Sequence, residues 1–217
     1  MQQSIKVTLE GGRVVECPYG TPVGKLLSAP KDSHGLHVLG ALVNNNVVTL
    51  EFLLEIDSQV TFLTLADPNG WRLYRSTASF LLAKAVKELF PDAVFSVEHS
   101  LGTGFYCYFE STENGTAGIT VDQLQSIEAY LRELVQHDRP IERRKMAFHD
   151  AVEVFQAQKQ MDKVNLLRFR NPPKVVLYTC DGFNDLSHGP LAGTTGAITH
   201  FDLIYYPPGF VIQFPDR

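Results

Sequence analysis

The 217-residue chain is poor in several things, and each shortage closes off a class of function. Its three cysteines, Cys17, Cys107 and Cys180, lie far apart and form no CxxC pair. Neither a disulfide framework nor a cysteine zinc site is therefore predicted. Seven histidines contain no HxxxH, HExxH or HxH pair, the local spacings that bring two imidazoles onto one metal. No apolar run reaches the roughly 18 residues of a membrane span, so no membrane partner is expected. The start, MQQSIKVTLEGG, shows no basic segment followed by an apolar one, and no secretory signal is expected from it. There is no GxSxG nucleophile elbow and no GxxxxGK[ST] phosphate loop. A net charge of −5 argues against nucleic acid binding over the whole surface. A reduced, cytoplasmic protein is the expectation.

What is present is an ordinary globular composition, 44% hydrophobic and 20% charged, of a length that fits one large or two small domains. The dominant pattern runs from Trp71 to Pro91 and predicts one long amphipathic helix. Leu73, Leu81, Leu82, Ala85, Val86 and Leu89 share its apolar face, with Lys84, Lys87 and Glu88 placed off it. Before it, residues 4–9 alternate polar and apolar, Glu10-Gly11-Gly12 turns, and Arg13–Cys17 returns as a second strand. Thr21-Pro22 reads as a helix start leading into VGKLL. Leu39–Val43 and Val47–Leu50 read as strands around an asparagine turn tolerant of positive φ, and Gln59–Leu65 as a further strand. Strand–strand–helix–strand–strand is the outline of a β-grasp, ubiquitin-like domain. Turn residues Ala66–Gly70 place a boundary there. Beyond the long helix, Ala93–His99 and Gly104–Glu110 predict a hairpin. Thr120 and Gln123 predict a capping box, with Ile119 stapled onto Leu124. Ile141–Ala147, Val175–Cys180, Thr199–Tyr206 and Gly209–Phe214 read as strands, and His149–Gln158 and Asp162–Phe169 as short helices.

Charge is uneven along the chain. Residues 139–174 hold nine Lys/Arg against four Asp/Glu, whereas residues 67–138 hold five against ten. Such a basic strip suits phosphate contact, and the solvated faces of helices and strands are its plainer account. GTPVGK (Gly20–Lys25) has one residue too few between its glycines for a phosphate loop, and Leu26 stands where Ser or Thr must meet Mg²⁺. GPLAGTTG, with Gly189, Gly193 and Gly196, has the N–H groups to bind an anion but no strand-to-helix setting. His99, at a strand end before a glycine hairpin, is the best isolated candidate for a site histidine, and a backbone-bonded strand-end residue is the plainer alternative.

Arg75-Ser76-Thr77-Ala78-Ser79-Phe80-Leu81-Leu82 and Asp185-Leu186-Ser187-His188-Gly189-Pro190-Leu191 carry a resemblance that extends from Ile5 to Arg217. The chain resembles the N-terminal half of threonyl-tRNA synthetases, in which a TGS domain precedes a domain that hydrolyses misacylated seryl-tRNA. That editing domain is marked by HxxxH at the start of its long helix and by a Cys-x-Gly-Pro-His motif. Here Ser76 and Phe80 stand at the first pair of histidines, and Ser187 and Leu191 at the cysteine and last histidine. Asp185 and Lys163 match two further polar positions. Phe80 and Leu191 cannot take a proton or bind metal, so the editing chemistry is expected to be lost and the pocket to be smaller and drier. Several segments, among them YRSTASFLLAKAVKELFP, IERRKM, HGPLAGTTG and HFDLIYYPPGFVIQFPDR, are also similar to the region ahead of the P-loop kinase domain in bacterial uridine-kinase-family proteins.

The expected architecture is α+β: a TGS-like β-grasp domain at 1–66 and an editing-like domain at 67–217. The resemblance implies an accessory region without a catalytic residue or metal of its own, binding tRNA, another RNA or a small molecule in the editing-like cleft. It also implies a C-terminal kinase domain as partner, to which ATP and Mg²⁺ would belong; no cofactor is expected for these residues. The candidate cleft residues are Arg75, Ser76, Ser79, His99, Tyr106, Lys163, Asp185, Ser187 and His188, with Arg75 and Lys163 as anion contacts. Two alternatives stay open. One is a re-purposed hydrolase with His99 or His188 as base and Asp185 orienting it; the other is a tRNA-binding module using the basic strip.

Overall fold

The computed structural model describes residues 4–111, 118–170 and 173–215; the last two residues of the FPDR ending lie outside them. Period-2 alternation in β1 (Ser4–Leu9) buries Ile5, Val7 and Leu9 and exposes Ser4 and Lys6. β2 (Val14–Pro18) pairs with it antiparallel across a short 3₁₀ turn at Glu10–Gly12. The segment read as a helix start is different in the structure. Thr21–Pro22 is a two-residue strand, β3, and Val23–Leu26 a single 3₁₀ turn. Its backbone donors are used elsewhere: Val23 and Gly24 donate to the Phe52 and Leu50 carbonyls at 2.9 and 2.8 Å, so no α-helical ladder forms.

β4 (Gly40–Val43) and β5 (Asn46–Val48) flank the asparagine turn, where Asn44 and Asn45 hold φ of 47° and 66°, the left-handed pair a tight hairpin needs. β6 (Leu53–Leu54) pairs with β3. β7 (Ser58–Leu63) enters the middle of the sheet, parallel to β1 and antiparallel to β4, giving the order β2-β1-β7-β4-β5 of a β-grasp.

α1 (Pro68–Leu89) starts three residues before Trp71, because Pro68 takes the first helical turn. Asp67 sits at its N-cap position, yet its carboxylate accepts from the Thr64 amide at 2.8 Å and ties the helix back to the sheet. The helix is buried on more sides than its apolar stripe suggested. Lys84, expected on the polar side, is 1% exposed and paired with Glu88, which in turn accepts from the Tyr130 hydroxyl.

β8 (Val94–Leu101) and β9 (Gly104–Glu110) form the expected hairpin, with a bulge between Val97 and His99. α2 (Val121–His137) opens with the capping box: Thr120 Oγ1 accepts from the Gln123 amide at 3.2 Å, and Gln123 Oε1 from the Thr120 amide at 2.9 Å. β10 (Glu142–Ala147), α3 (Phe148–Ala157), α4 (Met161–Arg170) and β11 (Lys174–Cys180) follow. β12 (Phe183–Leu186), not anticipated, pairs with β11 around an Asp181-Gly182 turn in which both residues have positive φ. β13 (Asp202–Tyr206) and β14 (Gly209–Gln213) complete a sheet of order β13-β14-β9-β8.

The chain is thus α+β with three main layers of packing. Ile5, Val7, Val23, Ala41 and Val60 form the core of the N-terminal sheet. α3 and α4 cover one face of the β10-β11-β12 sheet through Phe155, Val164, Val175 and Leu177. The largest core joins α1, α2 and the inner face of the β13-β14-β9-β8 sheet, and it also takes in Leu39 from the N-terminal region.

All three cysteines are buried and unpaired. Burial pushes the Cys107 thiol up to about 12 and Cys180 up to about 11. These thiols are thus expected to resist alkylation in the native chain at pH 8 and to react fully once it is unfolded. The unfolded thiols ionise first as pH rises past their ordinary value of 9, so the folded state loses stability between there and the raised values. The slope is about 1.4 kcal/mol per pH unit per thiol. A thiol-reagent time course and urea melts at pH 8 and 10 check both outcomes.

Candidate functional site

Helical spacing puts Ser76, Ser79, Phe80 and Ala83 on one side of α1. Facing them across a solvent-open cleft of about 450 Å³ are the loop after β12, the start of α4 and the strands of the β8–β9 hairpin. Six of the nine residues proposed from the sequence line this cleft: Ser76, Ser79, Lys163, Asp185, Ser187 and His188. The other three do not. Arg75 is one step round the helix, with its guanidinium carbon 4.2 Å from the centre of the Trp71 ring and 3.8 Å from that of Phe105. It therefore serves as a packed aromatic clamp, with a weak bond to Ser100, and is not the cleft's anion contact. His99 and Tyr106 are cross-strand partners stacked at 5.2 Å on the β8–β9 hairpin, where Tyr106 also meets Tyr206.

The electrostatics of the cleft centre on Lys163. Its ammonium lies 3.1 Å from Asp185 and 3.4 Å from Asp162. Burial pushes the Asp185 carboxyl up, and Lys163 pulls it partly back. Burial alone would push Lys163 down, but Asp185 and Asp162 outweigh it and the lysine is raised. Two carboxylates thus face one ammonium, and an anion meeting Lys163 would have to compete with Asp185 and Asp162 for it. Ser187 is likewise committed, its hydroxyl donating to the Gly189 carbonyl at 2.8 Å.

The two apolar signature positions separate in the structure. Phe80 forms part of the cleft wall and packs on Phe183 at 5.4 Å. Leu191 is wholly buried in the main core. Thr77 is the cause: its hydroxyl donates to the Leu73 carbonyl and accepts from the Ala192 amide at 2.9 Å, fixing the 191–192 backbone against α1. The cleft is narrowed on one side only and is not plugged. Residues missed from the sequence include Phe95, Ser96 and Phe105 on the hairpin and Asp162 at the start of α4. Strand alternation alone did not single them out, because the facing helix makes the pocket. The arrangement offers an aromatic wall, two free-standing serine positions, an ion triad and one exposed histidine, a set suited to a ligand carrying hydroxyl groups and a flat apolar part.

The basic strip does not form one surface. Arg144 pairs with Glu142 at 2.8 Å, Arg139 approaches Asp181 at 4.0 Å, and Lys163 is held in the cleft. Register places Arg143 opposite Tyr178 and Arg144 opposite Leu177, on opposite faces of their sheet. Among the described residues no three His, Cys, Asp or Glu side chains converge as a metal site, and no helix is long and apolar enough to cross a membrane.

No family model matches the chain. Curated threonine–tRNA ligases do match it, at 31% identity over 205 residues for Symbiobacterium thermophilum and 31% over 199 for Geobacter sp. strain M21. The enzyme of Desulforamulus reducens is 30% identical over 201 residues. The chain resembles part of a threonine–tRNA ligase. These matches cover 94%, 92% and 92% of the chain but 31% of each relative. It therefore spans about a third of the length of the ligases it matches, over the β-grasp sheet and the cleft alike.

Proposed function

We propose that this chain is a tRNA-related binding module whose editing-type hydrolysis has been lost. The observation that carries the reading is the wall of the cleft. Ser76 and Phe80, one turn apart on α1, occupy it where the resemblance would place a histidine pair. A benzyl ring there cannot move a proton or position water, but it offers a surface on which a base or acyl group can pack. The ion triad also speaks for binding over hydrolysis. Asp185 is engaged by Lys163 and is not set to orient a histidine, while His99 lies outside the cleft. His188, exposed at the cleft's edge, would act without that partner.

The test is to incubate the chain with deacylated and seryl-tRNA at two salt concentrations, following binding and ester hydrolysis together. Binding without hydrolysis above background is the expected result, weakening as salt rises. Deacylation of seryl-tRNA would overturn the loss of chemistry, and no binding to either form would overturn the RNA assignment. On the HGPLAGTTG and YPPGF segments, we further propose that the module serves a C-terminal uridine-kinase-type domain, which would hold the ATP and Mg²⁺.

A further inference from the structure

A second, larger concavity of about 590 Å³ lies between the N-terminal sheet and the β10-β11-β12 sheet. Its volume is that of a small-ligand site. One wall is the segment after β5, where Phe52 and Leu53 are 43% and 48% exposed despite being held by backbone bonds. Val23 donates to the Phe52 carbonyl at 2.9 Å and Gly20 to that of Leu54 at 2.8 Å, so these apolar side chains are presented on a fixed backbone. The opposite wall is the outer face of β10 and β11, with Val176 and Tyr178, together with Pro190. Arg143 projects from the register position opposite Tyr178, and Lys145 follows two residues along the same face. Arg143 and Tyr178, partners in the register, both line the groove, so the guanidinium and the phenol share its wall. Across from it stands Glu51, whose carboxylate rests against Gly193.

We propose that this groove is a nucleotide site. A base would lie between Phe52 and the Val176–Pro190 wall, and a phosphate would meet Arg143. Glu51 would accept from the base N–H edge or a ribose hydroxyl, and its charge disfavours a ligand that is only an anion. Ser187 and His188 line both this groove and the cleft, so the nucleotide has two possible sources. It is either a free mononucleotide or one unit of an RNA strand that continues from the cleft. The first stands apart from the proposed function, and the second rests on it.

The whole chain is titrated with AMP, with inorganic phosphate and with a short single-stranded oligoribonucleotide, and backbone amide NMR shifts are recorded. Saturable shifts in residues 49–53 and 187–190 are expected with AMP, the oligoribonucleotide or both; phosphate alone should bind at least about tenfold more weakly than the ligand that does. Arg143→Ala and Phe52→Ala, both at exposed positions, should each weaken that ligand by about tenfold with an unchanged circular dichroism spectrum. Ser79→Trp, which fills the cleft, should leave AMP binding intact and weaken only the oligoribonucleotide. Groove shifts with the oligoribonucleotide but not with AMP would assign the strand as the source. The proposal fails if neither ligand shifts the groove, or if binding ignores both groove substitutions.

Discussion

Gly70→Ala is expected to be among the most destabilising single-methyl changes in the chain. Alanine is the better helix former by roughly 1 kcal/mol, so propensity alone predicts a gain. Space decides the opposite. A Cβ at Gly70 would lie 1.9 Å from the Thr64 carbonyl oxygen and 2.8 Å from its carbon, both backbone atoms. Thr64 cannot retreat easily, since its amide donates to Asp67 at 2.8 Å and its carbonyl accepts from the Asp67 amide at 3.1 Å. The loss should be about 3 kcal/mol, or roughly 10 °C in melting temperature for a chain of this size. A variant melting within about 2 °C of the parent would show that the β7–α1 junction yields.

The second large effect concerns Lys84, whose side chain is 1% exposed and whose ionic partner is Glu88. Glu88→Ala would leave that ammonium in the core beside the Tyr130 hydroxyl, with its carboxylate gone. Breaking a buried pair from one side costs about 3 kcal/mol or more. Lys84→Met keeps the stem's volume and removes the charge, so it should be nearly neutral. In the Lys84→Met background, Glu88→Ala should cost about 1 kcal/mol or less. Urea melts of the four proteins form the cycle. An additive result, with Glu88→Ala equally harmful in both backgrounds, would mean that Glu88 acts through Tyr130 and not through the lysine.

Lys84 also marks where sequence reasoning stopped. Periodicity placed the apolar face of α1 correctly, but it reads side-chain type and has no view of a partner four residues on or of α2 packing across. Local chemistry was the most legible: the Thr120–Gln123 capping box and the Asn44-Asn45 turn depend on residues within a few positions of each other. The first predicted helix failed for the converse reason, because its backbone donors found carbonyls some 30 residues away at Leu50 and Phe52. β12 has two polar residues in four and exists through its pairing with β11. In the cleft, Ser76, Ser79 and Phe80 were within reach of helical spacing. Lys163 and Asp185 came only from the resemblance, and the balancing role of Asp162 from neither. Arg75 reads as an anion contact because a sequence shows its charge and hides the Trp71 and Phe105 rings packed against it.

The close seating of α1 on β7 bears on how the two ends of the chain communicate. Only residues 64–67 separate the last strand of the β-grasp sheet from the helix, and their backbone is bonded into the first turn. α1 is thus a shaft mounted on the N-terminal sheet without a flexible coupling. At 22 residues it is about 33 Å long. A tilt of roughly 4° at its mounting would swing the Leu89 end by about 2 Å. The cleft serines, part-way along the shaft, would move by about 1 Å, enough to change the fit of a ligand held against Phe80.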